Sequence, residues 1–470
     1  MGSKLRSRLA LGAAVTALVA GSAVAMVPGA TAAEPGVPTV TPIAPQAGKG
    51  HGVSTGQGVI DLDAIGYAES EFLMSGQATT YGQSGLWTDD GRWATTVAAE
   101  GTDYTTRLLV ERPKDPARFN GTVIVEWMNV SFGVDIPVDL SQSYRYAARE
   151  GYAYVGVTAQ RRGAQKLTEL DPERYPGVDL PNDDISYDVL TQAARAVRTN
   201  PAIIGATPTT VLASGHSQSA GRLVTYINAV QPQADVFDGF LVHGRAGGAA
   251  KVAGGGAPLS AKIRTDLDVP VFVLQAETDV PLSSSARQNT PLVRTWEVAG
   301  TAHADQYGLD LYNPVNARDK GINGGAATHC DKPVNSMTFR YAQNAAYHHL
   351  NRWAQGGPPP PSAQQVDAWF GVLIQRDKDG NAIGGVRLPD LVAPVATYSP
   401  NNSGGNVLGA CLLLGTTTPF TAARLKELYP DHASYVKRFT EAADVATRLG
   451  YLLPADRDEA VARAQAAQVP

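Results

Sequence analysis

The chain has 470 residues with a net charge of -5 at pH 7, and 43% of its residues are hydrophobic while 18% are charged. This length and composition allow a large buried core, in one large domain with additions or in two domains. An acidic chain offers no basic face to a phosphate backbone, and no nucleic-acid-binding motif is present, so nucleic acid is not an expected partner.

The first 32 residues have the order of a secretory signal peptide. Three basic residues precede an apolar run at 9–27, and small residues follow at 30–33. This order predicts cleavage near Ala32 and a secreted protein. An uncleaved membrane anchor is the alternative, but the run is rich in Ala and Gly, and no later stretch is long and apolar enough to span a bilayer. We therefore expect no stable membrane anchor after cleavage.

Residues 33–58 are rich in Pro, Gly and Thr and carry no hydrophobic periodicity, which is typical of a flexible leader. Short apolar and aromatic segments then alternate with Gly and Asp turns up to residue 110, for example at 71–74 and 104–110. This alternation indicates antiparallel strands at the edge of a sheet. The folded domain is accordingly predicted to span residues 59–470.

Strand and helix patterns alternate from residue 122 onwards. Dense apolar runs short enough for buried strands lie at 122–127, 152–157 and 209–213. Between them, a capping-box spacing at 139–142 predicts a helix that stops at Gly151, and Asp184 precedes an amphipathic helix that reaches Arg198. The alternation predicts an α/β fold with a mostly parallel sheet flanked by helices.

The strand at 209–213 leads into the sequence Gly-His-Ser-Gln-Ser at 215–219. A serine hydroxyl becomes a nucleophile only when a base can reach it, and a sharp turn from strand to helix exposes Ser217 in this way. The small residues Gly215 and Ser219 follow the logic of the nucleophile elbow G-x-S-x-G, with serine replacing the second glycine. The backbone N–H of Gln218, at the start of the next helix, is then a donor for an oxyanion.

The loop after the strand at 122–127 is predicted to overhang the same edge of the sheet, because ligands of such sheets bind beyond the carboxyl ends of the strands. A backbone N–H at Asn129 or Val130 is therefore a candidate second oxyanion donor. An ordinary loop that connects strand to helix is an equally good interpretation of these residues.

A serine nucleophile needs a histidine base and a carboxylate that orients it. His303 is the only one of the 8 histidines that follows a strand and a glycine, downstream of a strand-end carboxylate. His216 precedes the nucleophile, so its side chain is expected to point away from Ser217. Asp279 and Glu277 compete for the role of the acid, and we favour Asp279 because it lies beyond the strand end. The order Ser, acid, His is that of α/β-hydrolases.

The remainder of the chain, from about residue 305, is predicted to form a C-terminal extension of hairpin and helices that packs over the site. Cys330 and Cys411 are the only cysteines. In an exported protein they most simply form one disulfide, and two buried free thiols are the alternative. The spacing of cysteines and histidines does not resemble a metal site, and neither a metal nor an organic cofactor is expected.

Several segments resemble a bacterial family described only as alpha/beta hydrolase domain-containing, whose members are often exported. The similar segments are residues 118–127 with Asn129, residues 215–222, residues 385–389, and Cys411 with Pro419 and Phe420. The resemblance spans about residues 60–450 and implies the hydrolase fold, a Ser-His-acid triad and hydrolysis. It does not imply a substrate.

The sequence therefore predicts an exported, carboxylesterase-like serine hydrolase. Ser217 would attack a small-molecule or polymeric ester, His303 would transfer the proton, and Asp279 would orient His303. An amidase or peptidase with the same triad is the first alternative, because sequence does not distinguish an alcohol from an amine leaving group. A non-catalytic binding protein with the hydrolase fold is the second.

Overall fold

The computed structural model describes residues 37–256, 258–321, 330–404 and 410–469. The predicted signal peptide at 1–32 lies outside the described residues. Within the described ranges, none of the helices combines the length and the apolar character needed to cross a membrane.

A nine-stranded sheet forms the centre of the described chain, in the order β1-β2-β3-β5-β4-β6-β7-β8-β9. The pairs from β5 through β4 to β9 are parallel, whereas β1, β2 and β3 pair antiparallel at one side. The predicted mostly parallel sheet with N-terminal antiparallel strands is thus confirmed. The strands are β1 (Thr39–Pro42), β2 (Tyr67–Ser84), β3 (Ala94–Pro113), β4 (Thr122–Trp127), β5 (Ala153–Val157), β6 (Thr210–His216), β7 (Gly239–His243), β8 (Val271–Ala276) and β9 (Val293–Val298).

Helices cover both faces of this sheet. They are α1 (Val138–Glu150), α2 (Arg161–Leu170), α3 (Ser186–Thr199), α4 (Gln218–Thr225), α5 (Gln231–Ala234), α6 (Val280–Ser283), α7 (Gln306–Lys320), α8 (Phe339–Ala354), α9 (Pro389–Val392), α10 (Ala410–Leu414), α11 (Ala422–Leu428), α12 (His432–Arg448) and α13 (Pro454–Ala466). Helices α3 and α4 pack on one face, and α1 and α8 pack on the other. Strands covered on both faces are apolar almost throughout, which explains why β4 could be recognised with its correct bounds.

Helix α1 begins differently from the prediction. The capping box at 139–142 does not form, because the helix starts at Val138 and Asp139 lies inside its first turn. The free N–H groups of Asp139 and Leu140 instead donate to the carboxyl group of Glu126, at 3.0 and 3.1 Å. Burial, and then the neighbouring Asp139, raise the pKa of Glu126 well above its usual range. A buried acid at the end of β4 thus takes the place of a local cap.

The predicted flexible leader is wrong for the described part of residues 33–58. Residues Thr39–Pro42 form β1, which pairs with Phe72 to Ser75 of β2. Further along this segment, Val53 is buried, and its N–H donates to the hydroxyl of Tyr175 at 2.8 Å. Pro, Gly and Thr prevent a regular periodicity here, but backbone hydrogen bonds to the domain order the segment.

The C-terminal extension contains two short antiparallel pairs, β10 (Ala368–Trp369) with β11 (Leu373–Ile374) and β12 (Ala396–Ser399) with β13 (Thr416–Pro419). Cys330 and Cys411 form the predicted disulfide, with 5.5 Å between their Cα atoms. The extension from about residue 305 is predicted to pack over the site, but its last helices, α12 and α13, pack with α9 and share an apolar cluster with α8 on one face of the sheet. The segments next to the site belong instead to the region around β12 and α10, where the carbonyl of Leu413 accepts from Ala304 N at 3.0 Å.

Candidate active site

Ser217 is the single residue between β6 and α4, and it has a backbone conformation that residues other than glycine rarely adopt. Its φ is 61° and its ψ is -118°. Such strain persists only where the surrounding structure imposes it, and it is typical of functional turns. A Cβ at Gly215 would approach the backbone of Ser219 to 3.2 Å, so the two flanking positions must be small, as the motif indicates.

Asp279 and His303 form a direct contact. Asp279 lies in a short 3-10 turn that follows β8, and its Oδ1 is 2.6 Å from Nδ1 of His303. Its second oxygen accepts from the N–H of Ala276 at 2.9 Å, and only 1% of the residue is exposed. A carboxylate accepts from Nδ1–H, so Nε2 of the neutral His303 is left without a proton and can act as a base.

Glu277, the alternative acid, points elsewhere. Its carboxylate accepts from Arg376 at 2.7 Å and from the N–H of Gly300 at 2.6 Å. Burial raises its pKa, and the charge of Arg376 opposes this effect. The structure therefore brings Asp279, and not Glu277, to His303.

The loop that carries His303 packs against the turn at Ser217. The rings of His303 and His216 lie 4.4 Å apart, and Nε2 of His216 is 3.2 Å from the carbonyl oxygen of His303. The N–H of Ser217 in turn donates to the carbonyl of His243 at 2.9 Å. Ser217, Asp279 and His303 thus follow β6, β8 and β9, at the carboxyl ends of the parallel strands of one sheet. His216 is buried, and its ring lies against the rings of His243 and His303.

Two backbone N–H groups near Ser217 have no hydrogen-bond partner among the described residues, those of Gln218 and Val130. Asn129 does not offer a third, because its N–H donates to the carbonyl of Ile136 at 3.0 Å. The prediction of Asn129 as a backbone donor is therefore wrong. Its side chain has another use, since Nδ2 donates to the carbonyl of His216 at 3.0 Å. Asn129 thereby fixes the loop of Val130 beside the turn.

A buried ion cluster supports the same loop from below. Arg107 lies 3.0 Å from Asp135, a residue of this loop, and 3.0 Å from Glu71 on β2. The hydroxyl of Thr158 also donates to Asp135. Charges that are fully buried need such partners, so this cluster anchors the loop to the N-terminal strands.

A second pair of histidine and aspartate lies behind the site and was not predicted. Nδ1 of His243 is 2.7 Å from Oδ1 of Asp139, and both side chains are almost fully buried. The ring of His243 contacts that of His216 at 4.3 Å on one side and stacks on Phe339 at 4.9 Å on the other. The position of His243, at the end of strand β7, is the feature of the sequence that could have indicated this pair. In the described ranges, no group of three or more His, Cys, Asp or Glu side chains could hold a metal ion.

Comparison with known families gives a match along almost the whole described chain. The profile of the family described as "Alpha/beta hydrolase domain" matches residues 38–462. None of the curated proteins matches the sequence significantly.

Solved structures with similar folds share little sequence with the chain. A lidless α/β serine hydrolase from Xanthomonas campestris is 12% identical, over 51% of this chain and 93% of that one, with a TM-score of 0.29. An esterase from Rhizomucor miehei is 11% identical over 60% and 85%, with a TM-score of 0.31. A thermostable esterase from Pseudomonas putida is 15% identical over 62% and 84%, also with a TM-score of 0.31. Similarities of this size say nothing about the substrate.

Proposed function

The chain belongs to the alpha/beta hydrolase domain family, and on that premise we propose that it is a serine hydrolase of carboxylic esters. The observation that carries the proposal is the 2.6 Å contact between Asp279 and His303. The loop that carries His303 packs against His216, the residue before Ser217. An imidazole oriented by a carboxylate, on a loop that packs against the turn of a strained, partly exposed serine, supplies a base and a nucleophile for acyl transfer.

In the proposed reaction, Oγ of Ser217 attacks the carbonyl carbon of the ester while Nε2 of His303 takes the hydroxyl proton. The unpaired N–H groups of Gln218 and Val130 donate to the oxyanion that forms. His303 then gives its proton to the departing alcohol, which leaves an acyl group on Ser217. A water molecule, deprotonated by His303, hydrolyses this acyl-enzyme. Asp279 keeps His303 in the required tautomer and stabilises the imidazolium.

The test is the hydrolysis of a short-chain p-nitrophenyl ester by the wild type, Ser217→Ala and His303→Ala. Ser285→Ala and His348→Ala are matched controls, since both residues lie outside the proposed site. We expect both site variants to lose more than about 10³-fold in kcat, and both controls to keep the wild-type rate. Activity of Ser217→Ala equal to that of the wild type would overturn the mechanism.

The leaving group is tested with an ester and an amide that carry the same acyl group. Faster turnover of the amide would replace the esterase by an amidase or peptidase with the same residues. If the wild type is inert on both, a fluorophosphonate probe separates the remaining possibilities. Labelling that depends on Ser217 keeps the serine hydrolase with another substrate, and no labelling leaves a non-catalytic binding protein.

We also infer that the chain is exported and that residues 1–32 are removed. The disulfide between Cys330 and Cys411 supports this inference, because disulfides persist in oxidising compartments. Expression in a bacterial host that secretes proteins should release a product whose first residue is Ala33, as determined by N-terminal sequencing. A product that stays in the cell and begins at Met1 would contradict the inference.

A further inference from the structure

His216 touches all three segments of the proposed site. It directly precedes Ser217 in the chain. Its carbonyl oxygen accepts from Nδ2 of Asn129, which fixes the loop of Val130. Its side-chain Nε2 lies 3.2 Å from the backbone carbonyl of His303. His216 therefore links the turn at Ser217, the loop of Val130 and the loop of His303.

The partner of Nε2 determines the form of the His216 ring. A carbonyl oxygen only accepts, so Nε2 must carry the proton that makes this hydrogen bond. The residue is only 4% exposed, and burial disfavours the charged imidazolium. Burial, and then the nearby His243 and His303, lower the pKa of His216 well below its usual range. The ring is thus a neutral Nε2–H imidazole.

The ring of His216 is confined from its other sides. His243 packs against it at 4.3 Å and is itself held by Asp139 at 2.7 Å. Gly244 follows with a φ of 61°, and a Cβ there would come within 2.9 Å of Nε2 of His216 and 3.2 Å of Cε1 of His303. The two rings therefore occupy the space that a side chain at position 244 would take. His243, Gly244 and His303 thus surround the ring of His216.

We propose that His216 is a positioning residue, whose Nε2–H binds the carbonyl of His303 and thereby fixes the base relative to Ser217. His243 and Asp139 support its ring from behind. This inference rests on the proposed function. Reaction rates depend steeply on this geometry, because a displacement of 1 Å at a reacting group costs on the order of 10²-fold in rate. We expect the effect on kcat rather than on KM, since His216 is only 4% exposed and acts through the position of His303.

The test compares His216→Gln with His216→Phe on the same p-nitrophenyl ester. The amide nitrogen of glutamine can reach the position of Nε2 and restore the hydrogen bond, whereas phenylalanine keeps the ring packing without a donor. We expect His216→Phe to lose about 10- to 100-fold in kcat at unchanged KM, and His216→Gln to stay within about threefold of the wild type. Thermal unfolding of both variants shows whether either change acts through stability.

Equal losses in two folded variants, or full activity of His216→Phe, would overturn the inference. The proposed function fails separately, if Ser217→Ala remains active. A measurement on the wild type needs no variant to fold: ¹⁵N spectra of histidine-labelled protein should show His216 as the Nε2–H tautomer from pH 6 to 9. An Nδ1–H tautomer, or an imidazolium in this range, would also overturn the inference.

Discussion

The hydroxyl of Ser219 donates a hydrogen bond to the carbonyl oxygen of Met128, over 3.2 Å. Ser219 lies in the first turn of α4, directly after the nucleophile turn, and Met128 begins the loop that carries Val130. The bond therefore joins the two elements whose free N–H groups form the proposed oxyanion site. The serine that replaces the second glycine of the elbow motif has a structural use of its own.

Substitutions at Ser219 should separate this hydrogen bond from the size limit of the turn. We expect Ser219→Ala to lower the free energy of unfolding by about 0.5–1.5 kcal/mol and to change kcat only a few-fold, because alanine fits the turn. Ser219→Val should lose at least about tenfold in kcat, because there is little room for extra methyl groups beside Gly215, where even an added Cβ would lie 3.4 Å from Cβ of Ser219. Urea denaturation and ester kinetics measure both. Normal kcat in Ser219→Val would contradict the size argument.

The two acidic candidates should behave differently when each is made neutral. Asp279→Asn keeps the shape of the side chain but cannot stabilise the imidazolium, so kcat should fall on the order of 10³–10⁴-fold. Glu277→Gln serves as the matched control. It should keep kcat within about threefold while it lowers the unfolding temperature, because Arg376 loses its partner. A larger loss of kcat in Glu277→Gln than in Asp279→Asn would reverse the assignment of the acid.

Glu111 should make the stability of the protein depend on pH. It lies directly opposite Glu69 in the pairing of β2 and β3, is 2% exposed, and its Oε1 lacks a partner among the described residues. Burial, and then Glu69, raise the pKa of Glu111 from 4.5 to about 8. A raised folded pKa means that the folded state binds more protons between these values. Stability from this group is therefore complete below about pH 4.5 and is lost as the pH rises towards about 8.

Urea denaturation of the wild type and Glu111→Gln between pH 5 and 9 measures this contribution. Glutamine cannot ionise, so the variant should lose less free energy of unfolding across the range than the wild type. The difference between the two curves should grow with pH, by up to about 1.4 kcal/mol for each unit by which the folded pKa is raised. Parallel curves would show that Glu111 titrates normally.

The disulfide should contribute to stability rather than to chemistry. It closes a loop with a sequence separation of 81 residues, for which the chain-entropy estimate is about 4 kcal/mol. We expect the double variant Cys330→Ser with Cys411→Ser to unfold at lower urea concentration and to keep kcat once folded. A large loss of kcat in a double variant that is shown to be folded would contradict this prediction. It would indicate that the disulfide holds residues of the active site in place.

Ser217, Asp279 and His303 could be chosen from the sequence because each follows an apolar strand, and short apolar runs can be located without a structure. Parallel strands bring their carboxyl ends to one edge, so residues far apart in the chain could be expected to meet. The sequence favours Asp279 over Glu277 as the acid but leaves both open, because the two differ by two positions in one turn. Only the structure shows that Arg376, from the C-terminal extension, donates a hydrogen bond to the carboxylate of Glu277.

Other features depend on partners that no local pattern indicates. The sequence predicts Asp139 as part of a helix cap, but in the structure it pairs with His243, which lies 104 positions away. The sequence predicts a free N–H at Asn129. In the structure this N–H donates to the carbonyl of Ile136, because the two ends of the loop pair with each other. Pairing within a loop, and burial of polar groups between elements, are decided by tertiary packing rather than by residue type.

Strand β1 has a consequence for any protease that acts on the N-terminal part of the chain. It pairs with Phe72 to Ser75 of β2, a strand of 18 residues, and is itself the edge strand of the sheet. A cut between residues 43 and 58 would let β1 dissociate and leave these N–H and C=O groups unpaired. Exposed edges of this kind pair with the same edge of another molecule. Nicked protein should therefore self-associate and precipitate while its hydrolase core is still folded.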